Sequence, residues 1–300
     1  MTSTADLVLK APPGLRVVQD YQPYIKRHRF PKVRCSFWLL AWANGCPYDC
    51  GYCWLKAYHP WPWSEIHVAE GPSLARILRH FCTRIHGSQL LNAGELCDSF
   101  MVPEYITFMV KTLRQANDAY GTHHRLLLLT KSTDPKVLLE NDLRDMVVYS
   151  ASINAEAAAE TLEVDAPPPA ERISAARRIK EAGYEVRIRV DPIIEGSDHA
   201  YLELMERVCS AIEPDLMTLG SLRATPRTYR LLPKTIRAQL TEKTPRGRGI
   251  PLETRLEAYS ALIDVARTHG VPAALCKEPA EVWRRLGLSG PCNCMPERGC

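Results

Sequence analysis

The sequence predicts an α/β chain folded as a partial (β/α)6 barrel of the TIM type with a C-terminal extension. Three observations lead there. Apolar strand-like runs alternate with segments of helical period, the pattern of repeated βα units. Polar and thiol side chains gather just after those runs, and βα barrels place their chemistry at the C-terminal ends of strands. The 300 residues, 46% apolar and 24% charged, suit one globular α/β barrel rather than several domains.

Taken in order, Ala11 to Pro31 is Pro-rich and reads as irregular, so residues 1–35 form a leading segment. The barrel is expected over residues 36–220. Its strands fall near 36–42, 89–93, 125–130, 146–152, 184–191 and 215–220, with helices near 73–86, 103–119, 134–143, 170–182 and 199–212. Ser, Pro or Asp opens each helix, and glycine closes the first and fourth. Cys46 follows the first strand; Glu95, Cys97, Asp98 and Ser99 follow the second. Thr130 and Lys131 close the third, Ser152 and Asn154 the fourth, and Asp191 the fifth. In the fifth strand Val186, Ile188 and Val190 share one face and Arg187, Arg189 and Asp191 the other. Helices should cover the outside, so the polar face is expected in the lumen. Residues 221–300 make the extension: a basic insertion to Pro251, an amphipathic helix from Leu252 to His269, a last strand at Val271 to Cys276, and a Cys-rich tail.

Composition excludes some classes. No apolar run approaches the roughly 20 residues of a membrane span. Eleven cysteines, an odd number without disulfide-framework spacing, and no apolar targeting segment ahead of Cys35 point to the reducing cytoplasm. Net charge is +4, concentrated in two runs: Lys26, Arg27, Arg29, Lys32 and Arg34, then Arg223, Arg227, Arg230, Lys234, Arg237, Lys243, Arg246 and Arg248, with Glu242 the one acid in the second. Such runs suit a phosphate backbone or a plain solvated surface. Cys82 and Cys209 lie on apolar helix faces and read as core.

The run Cys46-Pro-Tyr-Asp-Cys50-Gly-Tyr-Cys53-Trp54 carries the most chemistry. Three thiols are one ligand short of a closed tetrahedral zinc or a fully ligated iron-sulfur cluster. A cluster held by three leaves one iron open, and this spacing is that of radical S-adenosylmethionine (SAM) enzymes, whose open iron takes the amino and carboxylate groups of SAM. The competing reading is a zinc knuckle completed by His59 or Cys35. Cys276, Cys292, Cys294 and Cys300 could hold a second iron-sulfur cluster or a zinc, the alternative being reduced structural or redox-reactive thiols.

The order Gly45-Cys46 to Cys53, Gly94-Glu95-Leu-Cys97-Asp98-Ser99, Leu129-Thr130-Lys131-Ser132, Ser150-Ala-Ser152-Ile-Asn154, Glu171-Arg172, Ala182-Gly183-Tyr184 and Asp191-Pro192-Ile193-Ile194 resembles the spore photoproduct lyase group of radical SAM proteins, from about residue 36 to 220. The resemblance implies a [4Fe-4S] cluster on Cys46, Cys50 and Cys53, and SAM contacts at Ser99, Lys131 and Ser152. Lys131 would meet the SAM carboxylate, and the hydroxyls its polar groups. Glu95, Asn154 and Arg189 join this expected set, and Tyr52 and Trp54 can pack on cluster and adenine. Cys97 stands where these lyases keep a hydrogen-atom donor. The implied reaction is reductive cleavage of SAM to a 5'-deoxyadenosyl radical, repair of a thymine photolesion in DNA, and an electron donor such as flavodoxin or ferredoxin. The same machinery acting on another nucleotide, peptide or small molecule is the alternative. Two departures stand out: Trp54 replaces a relay tyrosine, and Thr225 to Leu252 shows arginines and Tyr229 but no hairpin pattern.

Overall fold

The computed structural model describes residues 16–30, 33, 35–58, 65–194, 199–244, 247–290, 292 and 294. Lys32, Arg34, His59, Arg246 and Cys300, named above, lie outside the described residues. In chain order the elements are β1 (Arg16–Tyr21), β2 (Tyr24–Arg29), β3 (Ser36–Ala41), β4 (Ala43–Asn44), β5 (Glu65–Ala69), α1 (Gly71–Arg84), β6 (Leu90–Asn92), α2 (Pro103–Tyr120), β7 (Arg125–Thr130), α3 (Lys136–Leu139), β8 (Val147–Ser152) and α4 (Glu156–Leu162). Then come α5 (Pro169–Glu181), β9 (Glu185–Ile193), α6 (His199–Ile212), β10 (Leu216–Ser221), β11 (Arg223–Ala224), α7 (Pro226–Leu231), α8 (Lys234–Gln239), β12 (Glu242–Thr244), β13 (Gly247–Gly249), α9 (Leu252–Thr268), β14 (Ala273–Leu275) and α10 (Ala280–Arg285).

Eight strands form one sheet in the order β14-β10-β9-β8-β7-β6-β3-β2. From β3 to β14 every neighbour is parallel, and β2 adds an antiparallel edge. The two ends of the sheet do not pair with each other, so this is a half barrel with an open side. The six expected strands are present, and the strand expected at Val271 to Cys276 joins the same sheet through β10. Parallel strands covered on both faces should be apolar throughout. Leu126, Leu127 and Leu128 of β7 are fully buried, as are Val147 and Val148 beside them in β8. Each such side chain contributes roughly 1.5–3 kcal/mol on burial. In α2, Ile106, Met109, Val110 and Leu113 repeat at helical spacing and are fully buried, while Gly121 ends the helix at a φ of 63°.

Two sequence expectations need correction. The leading segment is not irregular throughout: β1 pairs with β5, and β2 lies along β3. β2 is the edge strand, and Lys26, Arg27 and Arg29 on it are exposed, where charge discourages edge-to-edge association. The basic insertion also does hold a hairpin-like ribbon, β11-β13-β12, with Lys243 opposite Arg248 and Arg248 opposite Ala224. Gly247 permits it. Its φ is 150° and a Cβ there would lie 2.0 Å from the Ala224 carbonyl oxygen, so the pairing rests on backbone freedom and not on an apolar alternation.

Candidate active site

The thiol loop starts at Gly45, whose φ of 108° and close approach to β5 exclude a side chain; a Cβ would stand 2.7 Å from the Glu65 carbonyl oxygen. Gly45 N–H donates to the Leu96 carbonyl at 3.1 Å, tying the loop to the segment after β6. Gly51 N–H donates to Leu162 at 2.7 Å, tying it to α4. Cys46, Cys50 and Cys53 then line a cavity of about 570 Å³ at the C-terminal ends of the strands. That volume lies in the range of small-molecule sites. Three soft thiol donors on one loop fit an iron-sulfur cluster with an open position.

Of the residues singled out from sequence, Tyr52, Trp54, Glu95, Cys97, Lys131, Ser152 and Arg189 also line this cavity. Ser99 and Asn154 do not. Ser99 is fully buried, and its hydroxyl accepts the Leu129 N–H at 3.0 Å, joining the post-β6 loop to β7. Asn154 accepts from the Tyr201 hydroxyl at 2.7 Å and donates to the Pro192 carbonyl at 3.2 Å. Both side chains are therefore spent on the scaffold that shapes the wall. Arg189 and Asp191 do face the cavity, as the alternation in β9 requires. They pair with each other at 2.5 Å, so the guanidinium is already neutralised.

Asp98 builds the Cys97 turn. Its carboxylate accepts from Phe100 N–H, the Thr130 hydroxyl and Lys131 N–H at 2.7–2.9 Å, fastening the turn to the end of β7. Cys97 is buried, with its thiol on the Ala93 carbonyl at 3.4 Å. Burial, helped by the Asp98 charge, pushes its pKa well up, so it remains a thiol.

Glu163 was not legible in the sequence. It follows α4 outside every quoted motif, yet it accepts the Tyr52 hydroxyl and pairs with Arg172 Nη1 at 2.5 Å, both side chains 1% exposed. Arg172 also donates to the Ser152 carbonyl at 3.1 Å. Lys131 completes the group: its Nζ lies 5.6 Å from the Tyr52 ring centroid. Burial disfavours the ammonium, but Cys50 and Glu163 outweigh that and hold its pKa above the usual lysine value. Lys277, equally unsignalled, bridges from the end of β14 to Glu95 at 3.2 Å and stands 5.9 Å from the Trp54 ring centroid.

The other expected thiol group is brought together with an unexpected member. Cys276, Cys292 and Cys294 surround a second, small cavity with Cys35, the residue weighed above as a fourth ligand for the first loop. Among the described residues no three His, Cys, Asp or Glu side chains already stand at metal-ligand spacing, which is as true of Cys46, Cys50 and Cys53 as of the tail thiols. Cys82 and Cys209 are fully buried in the apolar core. No helix of the described residues is long and apolar enough to cross a membrane.

A half barrel of parallel strands with a three-thiol loop on the rim of its cavity defines a radical SAM protein. The family model described as spore photoproduct lyase matches residues 29–224. The chain belongs to the spore photoproduct lyase family. It is 26% identical over 184 residues to the spore photoproduct lyase of Bacillus subtilis (strain 168), covering 60% of this chain and 53% of that protein. It is 25% identical over 187 residues to the uncharacterized protein ORF301 of Acidianus two-tailed virus, covering 57% and 60%. The match thus spans little more than half the length of these relatives. Among solved structures, spore photoproduct lyase complexed with dinucleoside spore photoproduct superposes with a TM-score of 0.65 at 18% identity, covering 87% of this chain and 81% of that one. Native anSMEcpe with bound AdoMet gives a TM-score of 0.52 at 14% identity, covering 79% and 62%.

Proposed function

We propose that the chain is a radical SAM enzyme that repairs a thymine photolesion in DNA, with a [4Fe-4S] cluster on Cys46, Cys50 and Cys53 and SAM in the 570 Å³ cavity. The observation that carries this reading is the convergence of the three thiols, Lys131 and Cys97 on that one cavity. When bound, the cluster and SAM would supply an electron, drawn from a flavodoxin or ferredoxin type of donor, and a carbon-centred radical able to take a hydrogen atom from the substrate.

The chain's own residues supply position and protection. Lys131 keeps its charge in the cavity and offers it to the SAM carboxylate. Glu163 orients the Tyr52 ring through its hydroxyl, and Arg172 in turn holds Glu163. Cys97 presents a protonated thiol; its S–H bond breaks as a C–H bond forms on the product radical, leaving the unpaired electron on sulfur. The ribbon lends the cavity Lys243 and Thr244, and Arg248 stacks 5.7 Å from the Tyr229 ring centroid, cationic and aromatic surface of the kind that suits a nucleic-acid strand. A solved spore photoproduct lyase variant of similar fold, with a TM-score of 0.64, holds AdoMet and dinucleoside spore photoproduct together.

Anaerobically reconstituted protein, given SAM, a reductant and dinucleoside spore photoproduct, is expected to release the repaired thymines. Deoxyadenosine formation without thymine recovery would overturn the repair reading. Replacing Cys97 by alanine should leave SAM cleavage intact and divert the product radical into adducts, read by mass spectrometry; an unchanged product profile would remove Cys97 from the donor role. One observation favours the second reading, a non-lesion substrate of the same branch. Trp54 lines the cavity and has no phenolic hydroxyl, so hydrogen return by a tyrosine at that position is closed to this chain.

A further inference from the structure

We infer that Cys35, Cys276, Cys292 and Cys294 form a mononuclear zinc site that fastens the C-terminal segment across the open side of the half barrel. The four thiols arrive from three separate places: Cys35 immediately before β3, Cys276 immediately after β14, and the last two from the tail. Zinc in structural sites takes four tetrahedral ligands, and four thiolates are one of its standard sets. All four line one cavity of about 10 Å³. That is room for a single water-sized sphere, a size one metal ion matches. Cys35, just before the first barrel strand, and Cys292 and Cys294 of the tail, 257 and 259 residues further on, thus share one cavity wall.

The surroundings suit the charge. A zinc with four thiolates carries a net charge of about −2, which needs N–H donors and cations close by when buried. Asn92 Nδ2 stands 3.4 Å from Cys294 Sγ, and Arg189 Nη2 stands 3.3 Å from Cys276 Sγ. Lys277 lines the same cavity. Arg189 and Lys277 are paired with Asp191 and Glu95, so what the site offers the sulfurs directly is the two N–H donors of Asn92 and Arg189.

The position gives the site a purpose. The ends of the main sheet, β2 and β14, do not pair, and the tail thiols belong to the same apolar core as Phe37 of β3 and Leu275 of β14. Cys276 and Lys277 line the large cavity as well as the small one. A metal there would tie the tail to a wall that the two cavities share through Glu95, Arg189, Cys276 and Lys277. The inference is independent of the proposed reaction, because its readout is metal content and coordination.

The decisive measurement is metal analysis of the full-length chain in which Cys46, Cys50 and Cys53 are replaced by alanine, purified anaerobically with zinc supplied. One zinc per chain is expected, with no inorganic sulfide. Adding Cys292→Ser and Cys294→Ser should abolish it. Cobalt(II) in place of zinc should show the charge-transfer and ligand-field absorption of a tetrahedral tetrathiolate, weakened by Cys35→Ser. Should the triple variant fail to fold, zinc X-ray absorption on the otherwise unmodified, cluster-loaded protein replaces it, with four sulfur scatterers at about 2.3 Å expected. Absence of zinc, zinc retained after loss of Cys292 and Cys294, iron with sulfide at these thiols, or a Cys35–Cys292 disulfide in freshly isolated anaerobic protein would each overturn the inference.

Discussion

Exchange of Glu163 for alanine is expected to destabilise the fold by about 3–5 kcal/mol, the usual cost of breaking a buried ion pair from one side. Arg172 is 1% exposed, and among the described residues its guanidinium then keeps the backbone carbonyls of Pro167 and Ser152 but no carboxylate. Lys131 loses a countercharge in the same step. Urea unfolding of the variant beside the parent chain measures the loss, and a difference under about 1 kcal/mol would show that the pair is not isolated from water. The pH dependence has a definite sign. Burial alone would raise the Glu163 pKa, but Lys131 and Arg172, with the Tyr52 hydrogen bond, hold it below the ordinary glutamate value. A carboxylate depressed in the folded state contributes stability that is present above its unfolded pKa and is lost as pH falls through the folded one. The parent chain should therefore lose more stability on acidification below the ordinary glutamate range than Glu163→Gln does. Parallel acid-unfolding curves for the two would contradict that.

Replacing Lys131 by alanine should weaken SAM binding by about 10- to 150-fold, because a hydrogen bond to a charged group contributes roughly 1.5–3 kcal/mol and each 1.4 kcal/mol is tenfold in affinity. The ammonium stands 5.6 Å from the Tyr52 ring centroid and, with Cys50 and Glu163 nearby, keeps its proton, so it offers a point charge. Equilibrium dialysis with SAM reads the effect. Affinity unchanged within twofold would place the SAM carboxylate elsewhere. Lys131→Arg should fall between, since it keeps the charge and alters its shape.

The strand order and the rim were legible because they are written in local periodicities. The Leu126-Leu-Leu-Leu run before Lys131 marks a strand buried on both faces, and the Arg187-Arg189-Asp191 alternation marks its lumen face. Ser99 shows where this reasoning stops. A hydroxyl two residues from Cys97 looks like a cavity group, yet the nearest unsatisfied partner in the fold was the Leu129 N–H. Orientation about a turn depends on which backbone donors another strand leaves open, and a linear motif does not carry that. The ribbon of β11, β12 and β13 leaves no mark in the sequence for a related reason: its pairing is permitted by Gly247 and carries no alternation.

What the sequence determined by itself was the three-thiol loop, the alternating βα order and the gathering of polar residues after the strands, all set by spacings of a few residues. The tertiary structure alone decided which distant groups meet. Asn92 and Cys294 are 202 residues apart and Glu95 and Lys277 are 182 apart, yet each pair is in contact. Closing such loops is an entropic cost met by core burial as a whole, so no local pattern announces which ends will be joined. For that reason the loop of Cys46, Cys50 and Cys53 could be read from its spacing, whereas the company of Cys35 with Cys276, Cys292 and Cys294 emerged only when the sheet brought its two unpaired sides toward the tail.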